Sequence, residues 1–535
     1  MSDDDVLQQN GTPDGPSQRR RWWRLVPWLI TGFLLLRMVW LFLPGDGRGG
    51  IEIGPETTVI SEPLAPDGFV DFSAAINARA GKGVTPENNA VVLLIQAFGP
   101  AEIPAEQRER YFELLGIPSI PEAGQYFVND SQFLQAQGVA GPQQGEQKTQ
   151  WRDDLEIAVK RPWTDAEFPQ LAEFLIANEA PLALIVEATQ RTRYYSPIAP
   201  EDAELIATWL NLEQQSRWGA RLLSLRAMRR LGAEDAEGAW TDILACHRLA
   251  RLVGQSPHTI GVLVSYALDR VACAAGQALV RSEALTSAQA RQCIADLDAL
   301  PPIASSAAAA DFGERLSTVD TYCRIASGRS GALETDTPKG LASQLGRAFD
   351  WNLMLKLMNE HLDRSIEIMR LPTAGERMRE FAKLDQELRA RKLLTWQGLV
   401  TGIIGLKGTI SRDVNNVLMR LLGGPLEQYR NGEMLAESSL ELTRIGFALT
   451  AYHREHGAYP QTLAELAPGI LAESTLDPCS GKEFVYRTTA RGFVLYSVGT
   501  NLTDDGGTGH EDRPRGDDVV LRVGVEQPGT NDSAE

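Results

Sequence analysis

Residues 451–520 read AYHREHGAYPQTLAELAPGILAESTLDPCSGKEFVYRTTARGFVLYSVGTNLTDDGGTGHEDRPRGDDVV. They follow an amphipathic helical pattern that begins near Glu427, and Gly457 predicts where this helix ends. Two short strands are predicted next, over 483–488 and 492–498, and the second should bury part of both faces. An acidic loop rich in glycine completes the stretch. The pattern predicts a small α+β unit at this end of the chain.

The acidic loop is dense in oxygen-bearing side chains. Ca²⁺ binds about six to eight hard oxygens from carboxylates, amides, hydroxyls and carbonyls, and the glycines allow backbone carbonyls to turn inward. The loop follows a strand, whereas an EF-hand loop follows a helix, so an EF-hand is excluded. A solvated loop without metal is the alternative, and Arg513 and Arg515 favour it. The oxygen-bearing residues are Asn501, Thr503, Asp504, Asp505, Glu511, Asp512, Asp517 and Asp518.

Several motifs in residues 430–523 occur in a recognisable order. A tyrosine near the helix end precedes Gly-x-Tyr-Pro, an Asp-Pro turn follows, and Ser-x-Gly precedes the acidic ending. In this order they resemble the globular domain of the major pseudopilins of type II secretion. The resemblance implies a pseudopilin-like α+β fold and a Ca²⁺ site, and it implies no reaction. Carried over by motif, the implied metal ligands are Ser497, Asp505, Asp517 and Asp518, together with backbone carbonyls.

Two features of pseudopilins are not found at the corresponding places. A pseudopilin begins with a short leader, a peptidase site and an early glutamate, and nothing similar surrounds residues 25–43. The hydrophobic helix that polymerises pseudopilins does not directly precede the C-terminal unit. We therefore expect a pseudopilin-like unit carried by a different anchored protein, and pilus assembly does not follow from the resemblance.

An apolar segment near the N-terminus predicts a membrane anchor. Residues 25–44, LVPWLITGFLLLRMVWLFLP, are long enough to cross a bilayer as a helix. Arginines precede the segment at positions 19, 20, 21 and 24, which should keep the N-terminus in the cytoplasm and export the rest. We expect an uncleaved signal anchor in the bacterial inner membrane, with most of the chain periplasmic. A cleaved signal peptide is the alternative.

The predicted fold class is mainly α, and the chain divides into six parts. They are a disordered cytoplasmic tail over 1–21, a transmembrane anchor in the lipid bilayer over 22–44, a linker over 45–68, a large α-helical domain of αα-hairpins over 69–426, the pseudopilin-like α+β domain over 427–523 and a disordered tail over 524–535.

Capping signals and composition predict where helices begin and where a long loop lies in the helical domain. Thr85 and Pro86 predict the N-cap and first residue of a helix. Thr286 with Gln289 predicts a capping box. The proline, glycine and glutamine residues of 116–162 predict a long loop.

Two further segments of the helical domain carry predictions. The join at 230–240 resembles the turn of a tetratricopeptide-type helical hairpin, although the region shows no repeat period. Residues 393–410 are apolar enough to raise the question of a second membrane span. Gln397 and Lys407 weaken that reading because polar groups are costly in lipid, and a helix buried in the domain is favoured.

Composition and missing motifs exclude several function classes. A net charge of −18 argues against nucleic acid as a partner, because phosphate binding needs a basic surface. None of the five cysteines forms a CxxC pair, which disfavours a zinc or thioredoxin-type site, although a helix–helix disulfide stays open. The sequence contains no GxSxG or P-loop motif, and residues 453–456 form HxxH rather than HExxH.

These observations predict a binding or scaffold protein of the cell envelope, stabilised by Ca²⁺ and acting on protein partners that the sequence does not identify. We expect a binding role more than an enzymatic one. The alternatives are a hydrolase with its site in the helical domain, and an accessory factor of a secretion or pilus-like system. A deep pocket with converging polar groups would favour an enzyme, and a broad groove would favour a scaffold.

Overall fold

The computed structural model describes residues 50–139, 145–200, 204–207, 211–327, 349–391, 407–422, 426–473, 476–489 and 491–525. Most of these residues are helical, and a small three-stranded antiparallel sheet lies near the C-terminal end. The prediction of a mainly α chain that includes a small sheet is confirmed at this level. The predicted anchor at 22–44 lies outside the described residues.

The helices and strands are numbered in chain order. The α-helices are α1 Phe72–Ala80, α2 Ala90–Phe98, α3 Arg108–Leu115, α4 Asp130–Ala136, α5 Gly145–Ala158, α6 Pro169–Ala177, α7 Glu179–Ala188, α8 Asn211–Gly232, α9 Ala236–Val253, α10 Thr259–Arg281, α11 Ser287–Asp298, α12 Ser306–Ala309, α13 Arg315–Ser327, α14 Trp351–Met369, α15 Ala374–Ala390, α16 Lys407–Leu422 and α17 Leu426–His456. The strands are β1 Val485–Thr488, β2 Phe493–Ser497 and β3 Val519–Val523.

The predicted turn at 230–240 joins α8 and α9 as a helical hairpin. Asp235 caps α9, because its carboxyl accepts a hydrogen bond from the N–H of Gly238 at 2.8 Å. Ala239 and Trp240 are buried where the second helix packs. The Trp240 ring meets Phe447 of α17 edge-on at 5.3 Å, so this hairpin also contacts the C-terminal part of the chain.

Helix α17 contacts both the helical part of the chain and the small sheet. It packs against α10 and α11 and also against the sheet. One hydrophobic cluster therefore runs from Ala90 through the helices to Val523 in β3. The predicted domain boundary at 426/427 falls at the start of α17, and the apolar core is continuous across it.

A second hydrophobic cluster joins the remaining helices. It contains Phe72 of α1, Tyr322 of α13, Trp351 of α14 and Phe381 of α15. The segment predicted as a linker also contacts this region, since the Asn359 amide donates to the carbonyl of Thr57 at 3.0 Å.

The sheet has the order β1-β2-β3 with antiparallel neighbours. Strand β2 is central, and Phe493, Leu495 and Tyr496 are fully buried, which confirms that both faces of this strand are covered. The sequence pattern predicted β1 and β2 but not β3. Val519 of β3 lies opposite Ser497 of β2, so the acidic loop between them is closed at both ends by strand pairing.

Several helix predictions are confirmed, and others are wrong. The capping box of Thr286 and Gln289 is present at the start of α11. Helix α2 is capped by Asn89, and the residues after Thr85 form a turn, so the cap predicted at Thr85 is wrong. Asn89 caps better here because its amide also donates to the carbonyl of Tyr195 at 2.9 Å.

The region 116–162 is not a continuous loop, because it contains all of α4 and α5. These helices form on a composition rich in glutamine because Phe133 and Trp151 pack against Phe174 in the core. Most of the apolar segment 393–410 lies outside the described residues. Within the described part of the chain, one helix, α10, is long and apolar enough to cross a membrane, and 67% of its most apolar window is buried in the protein.

A matched pair of glycines in α17 tests the packing between this helix and the sheet. A Cβ at Gly446 would lie 2.7 Å from Cδ2 of buried Leu521, whereas a Cβ at Gly432 would lie 3.5 Å from Tyr266. Both alanine substitutions gain the same helix propensity, so overpacking alone separates them. We expect Gly446→Ala to be less stable than Gly432→Ala by about 1–3 kcal/mol. Chemical denaturation of the full chain measures the difference, and equal stabilities would contradict this packing.

Candidate metal centre

The acidic loop leaves β2 at Ser497 and enters β3 at Val519. Four residues with positive φ reverse its direction: Gly499, Leu502, Gly506 and Gly507. Glycine tolerates this conformation, while Leu502 adopts it at some cost. The turns fold the loop back on itself and bring its beginning next to its end.

Three of the four predicted metal ligands lie together in this loop. Asp505, Asp517 and Asp518 each offer a carboxyl oxygen, and these oxygens lie within 4.8 Å of one another. Backbone amides orient two of the groups, because the N–H of Gly507 donates to Asp518 at 2.8 Å and the N–H of Asp517 donates to Asp505 at 3.1 Å. The loop therefore presents three convergent carboxyl groups.

The fourth predicted ligand, Ser497, has a different partner. Its buried hydroxyl donates to Oδ1 of Asp477 at 2.8 Å and accepts a hydrogen bond from the N–H of Gly499 at 3.2 Å. Ser497 thus fixes the start of the loop and is directed to Asp477. The ligand role that the resemblance implied for Ser497 stays a prediction.

The three carboxyl groups carry an electrostatic cost when no cation is bound. Burial raises the pKa of Asp517, and the nearby Asp505 raises it further. Burial also raises the pKa of Asp518, with further contributions from Asp505 and Asp504. A divalent cation would offset this repulsion, because an opposite charge favours the ionised form.

The arginines of the loop do not neutralise the cluster. Arg515 of the loop donates to Nδ1 of His510 at 2.9 Å, and Arg522 of the neighbouring strand β3 pairs with Asp512. Among the residues that the structure describes, no ion pair involves Asp505, Asp517 or Asp518. The three carboxyl groups are hard oxygen donors, which are the ligands that divalent cations such as Ca²⁺ prefer.

A second group of possible ligands lies between α9 and α10. His247, Asp269 and Cys273 are all buried and close to one another. Nδ1 of His247 lies 2.7 Å from Oδ1 of Asp269, and Arg251 donates to the same oxygen at 2.8 Å. Burial raises the pKa of the Cys273 thiol well above its ordinary value, which disfavours the thiolate that a metal requires.

Arg251 pairs with Asp269, so this second group is a structural ion pair. Burial would raise the pKa of Asp269, but His247 and Arg251 outweigh burial and hold the pKa below its ordinary value. The guanidinium of Arg251 already supplies the positive charge that a metal would bring. The three polar side chains join α9 to α10 inside the core.

The remaining candidates from the sequence also have structural partners. His453 stacks on the ring of Tyr459 at 4.3 Å, and His456 stacks on the ring of Tyr452 at 4.1 Å. The two histidines of the HxxH motif therefore pack against different tyrosines. All five cysteines are buried and free, so the open possibility of a helix–helix disulfide is not realised in this structure.

The role of Asp477 was not predicted from the sequence. This carboxyl group is 1% exposed and accepts hydrogen bonds from five donors. They are the hydroxyls of Ser438, Ser480 and Ser497 and the backbone N–H groups of Cys479 and Ser480, at 2.8–3.2 Å. The Asp-Pro motif at 477–478 marked a turn, but nothing in the sequence indicated that α17 and β2 would supply partners.

Asp477 can be tested by substitution against a nearby exposed acid. Asp477→Ala leaves five donors without their acceptor, so we expect a loss of about 3 kcal/mol or more in the free energy of unfolding. Glu473→Ala, at an exposed position of the same segment, should change it by no more than about 0.5 kcal/mol. Denaturant unfolding of the full chain measures both. Equal, small losses would show that the Asp477 network is not needed for stability.

The three aspartates, the closed loop and the Asp477 network together define the candidate metal centre. Comparisons with protein-family models, with curated protein sequences and with solved structures find no match to this chain.

Proposed function

We propose that this chain is a single-pass membrane protein, with its N-terminus in the cytoplasm, that acts as a binding or scaffold protein on the outer side of the bacterial inner membrane. The apolar segment 25–44 and the arginines before it support the anchor and its orientation. In this proposal the C-terminal unit is pseudopilin-like and stabilised by Ca²⁺. Its partners are proteins that bind the helical surface.

The convergence of Asp505, Asp517 and Asp518 carries this proposal. The loop is closed by β2 and β3, so the carboxyl groups are held in place before any ion binds. Extracellular modules bind Ca²⁺ with dissociation constants of about 10⁻⁴–10⁻³ M. A site with three carboxylates, two of them partly solvated, suits that range and a compartment outside the cytoplasm.

The packing of the helices supports a scaffold role. Hairpins such as α8–α9 and the helices around them share one continuous core with the sheet. A rigid body of this kind can hold a partner-binding surface at a fixed distance from the membrane. The long helix followed by a three-stranded antiparallel sheet also agrees with the pseudopilin-like expectation for residues 427–523.

Calcium binding is tested by thermal unfolding of the full chain in detergent, with Ca²⁺ or with a chelator. A ligand at about ten times its dissociation constant stabilises the folded state by about 1.4 kcal/mol. For a chain of this size, we expect the Tm to rise by about 1–3 °C in millimolar Ca²⁺. Mg²⁺ should have a smaller effect, because it requires a tighter octahedral shell.

Two variants assign the thermal shift to the loop. Asp517→Asn should abolish the response to Ca²⁺ because it removes a ligand charge. In the presence of chelator, this variant should be at least as stable as the parent, because it also removes repulsion with Asp505. Asp153→Asn changes an exposed acid on α5 and should leave the response intact. A shift that survives in Asp517→Asn would place the ion elsewhere, and no shift in the parent would remove the calcium proposal.

Membrane topology is tested with spheroplasts that express the full chain. Added protease should digest the bulk of the chain, since residues after 44 would lie outside the cytoplasm. A variant without residues 1–44 should instead stay inside and resist the protease. Protection of the parent chain in spheroplasts, followed by digestion after lysis, would overturn the proposed orientation.

A further inference from the structure

A separate cavity lies in the helical part of the chain. It is bounded by the 3₁₀ turn Pro100–Glu102, by α3, by the extended segment 196–200 and by the first turn of α8. Its volume is about 190 Å³. This is below the range of about 300–1,000 Å³ that is typical of drug-sized ligands, so its occupant is small.

Most of the cavity wall is apolar and firmly packed. Ile95 is 1% exposed, and Ile103, Ile198 and Leu212 are also buried. Proline side chains at positions 104, 197 and 200 contribute further hydrocarbon surface. A wall of this kind suits an aliphatic body and gives a fully hydrated inorganic ion little to bind.

The charges on the wall are all of one sign. Glu102, Glu204 and Glu213 line the cavity, and its described lining contains no lysine, arginine or histidine. Glu213 is 3% exposed, and the hydroxyl of Ser256 donates to it at 3.3 Å. Two hydroxyls line the cavity, those of Tyr111 and Ser196, and they lie 3.0 Å apart. Among the described residues, the partners of the buried Glu213 carboxyl group, Ser256 and Tyr194, are both neutral.

This arrangement is costly without a ligand. Burial raises the pKa of Glu213, and burial also raises the pKa of Glu102. A buried carboxyl group is stable when it is protonated or when it is paired with a cation, because desolvation of an isolated charge is unfavourable. A cationic group inside the cavity would supply the missing counter-charge, and the apolar wall would exclude water around the pair.

We propose that this cavity binds a small aliphatic amine, with its ammonium group between Glu102 and Glu213 and its hydrocarbon part against the isoleucine and proline wall. The arrangement excludes small anions, which would meet three acidic residues. It also discriminates against neutral alcohols of the same shape, which cannot pair with a carboxylate. This cavity is separate from the Asp505, Asp517 and Asp518 cluster and shares no residue with it.

The proposal is tested by isothermal titration of the full chain at neutral pH with n-butylamine, n-butanol and butyrate. The amine carries a positive charge at this pH, as a lysine side chain does. We expect saturable binding of butylamine at least about tenfold tighter than that of butanol, which corresponds to about 1.4 kcal/mol. Butyrate should not bind. Equal binding of amine and alcohol, or no binding of the amine, would overturn the proposal.

Three variants test whether butylamine binds in this cavity. Glu213→Gln keeps the shape of the neutral carboxyl group and should weaken butylamine binding at least about tenfold. Glu102→Gln changes a half-buried residue of the same wall and should also weaken binding. It provides a second test at a position where the substitution disturbs the core less. Glu109→Gln changes an exposed glutamate of α3 and should bind like the parent. Unchanged affinity in both cavity variants would contradict the site.

Discussion

The carboxyl group of Asp477 is the constraint on which the C-terminal part of this protein depends. A buried acidic group is tolerated only when hydrogen bonds replace the water it has lost. Its partners come from the middle of α17, from the turn at 477–481 and from the end of β2. These three elements must meet at one point, and that point fixes where the acidic loop begins.

The shared core extends the same constraint to the rest of the molecule. Helix α17 carries Ser438 toward Asp477, and it also carries Phe447 toward Trp240 of α9. Because α17 packs against both the sheet and the other helices, it cannot move relative to one of them without disturbing its contacts with the other. The candidate metal loop, the sheet and the helical hairpins therefore behave as one body. Binding at the loop would increase the free energy of unfolding of the whole protein.

Local signals in the sequence predicted much of the fold, and non-local contacts explain what they missed. The hairpin at 230–240, the capping box at Thr286 and the strands β1 and β2 depend on residues that are close in the sequence. Strand β3 was missed because its pairing partner lies across the acidic loop. The three aspartates Asp505, Asp517 and Asp518 were predicted from the order of the motifs, and the pairing of β2 with β3 brings their carboxyl groups together. The partner of Ser497 and the glutamate-lined cavity were not predicted, since their residues come from distant segments.

The continuous core has a consequence for how the chain folds as it is synthesised. The apolar surfaces of α8 to α11 are covered in part by residues 442–523, which are synthesised after those helices. Contacts across such a long stretch form slowly, because closing the intervening loop costs entropy. Until the C-terminal residues emerge, the growing chain exposes an incomplete core that other molecules can bind. Chaperones that shield apolar surface would thus be needed most in the interval between completion of α11 and arrival of α17.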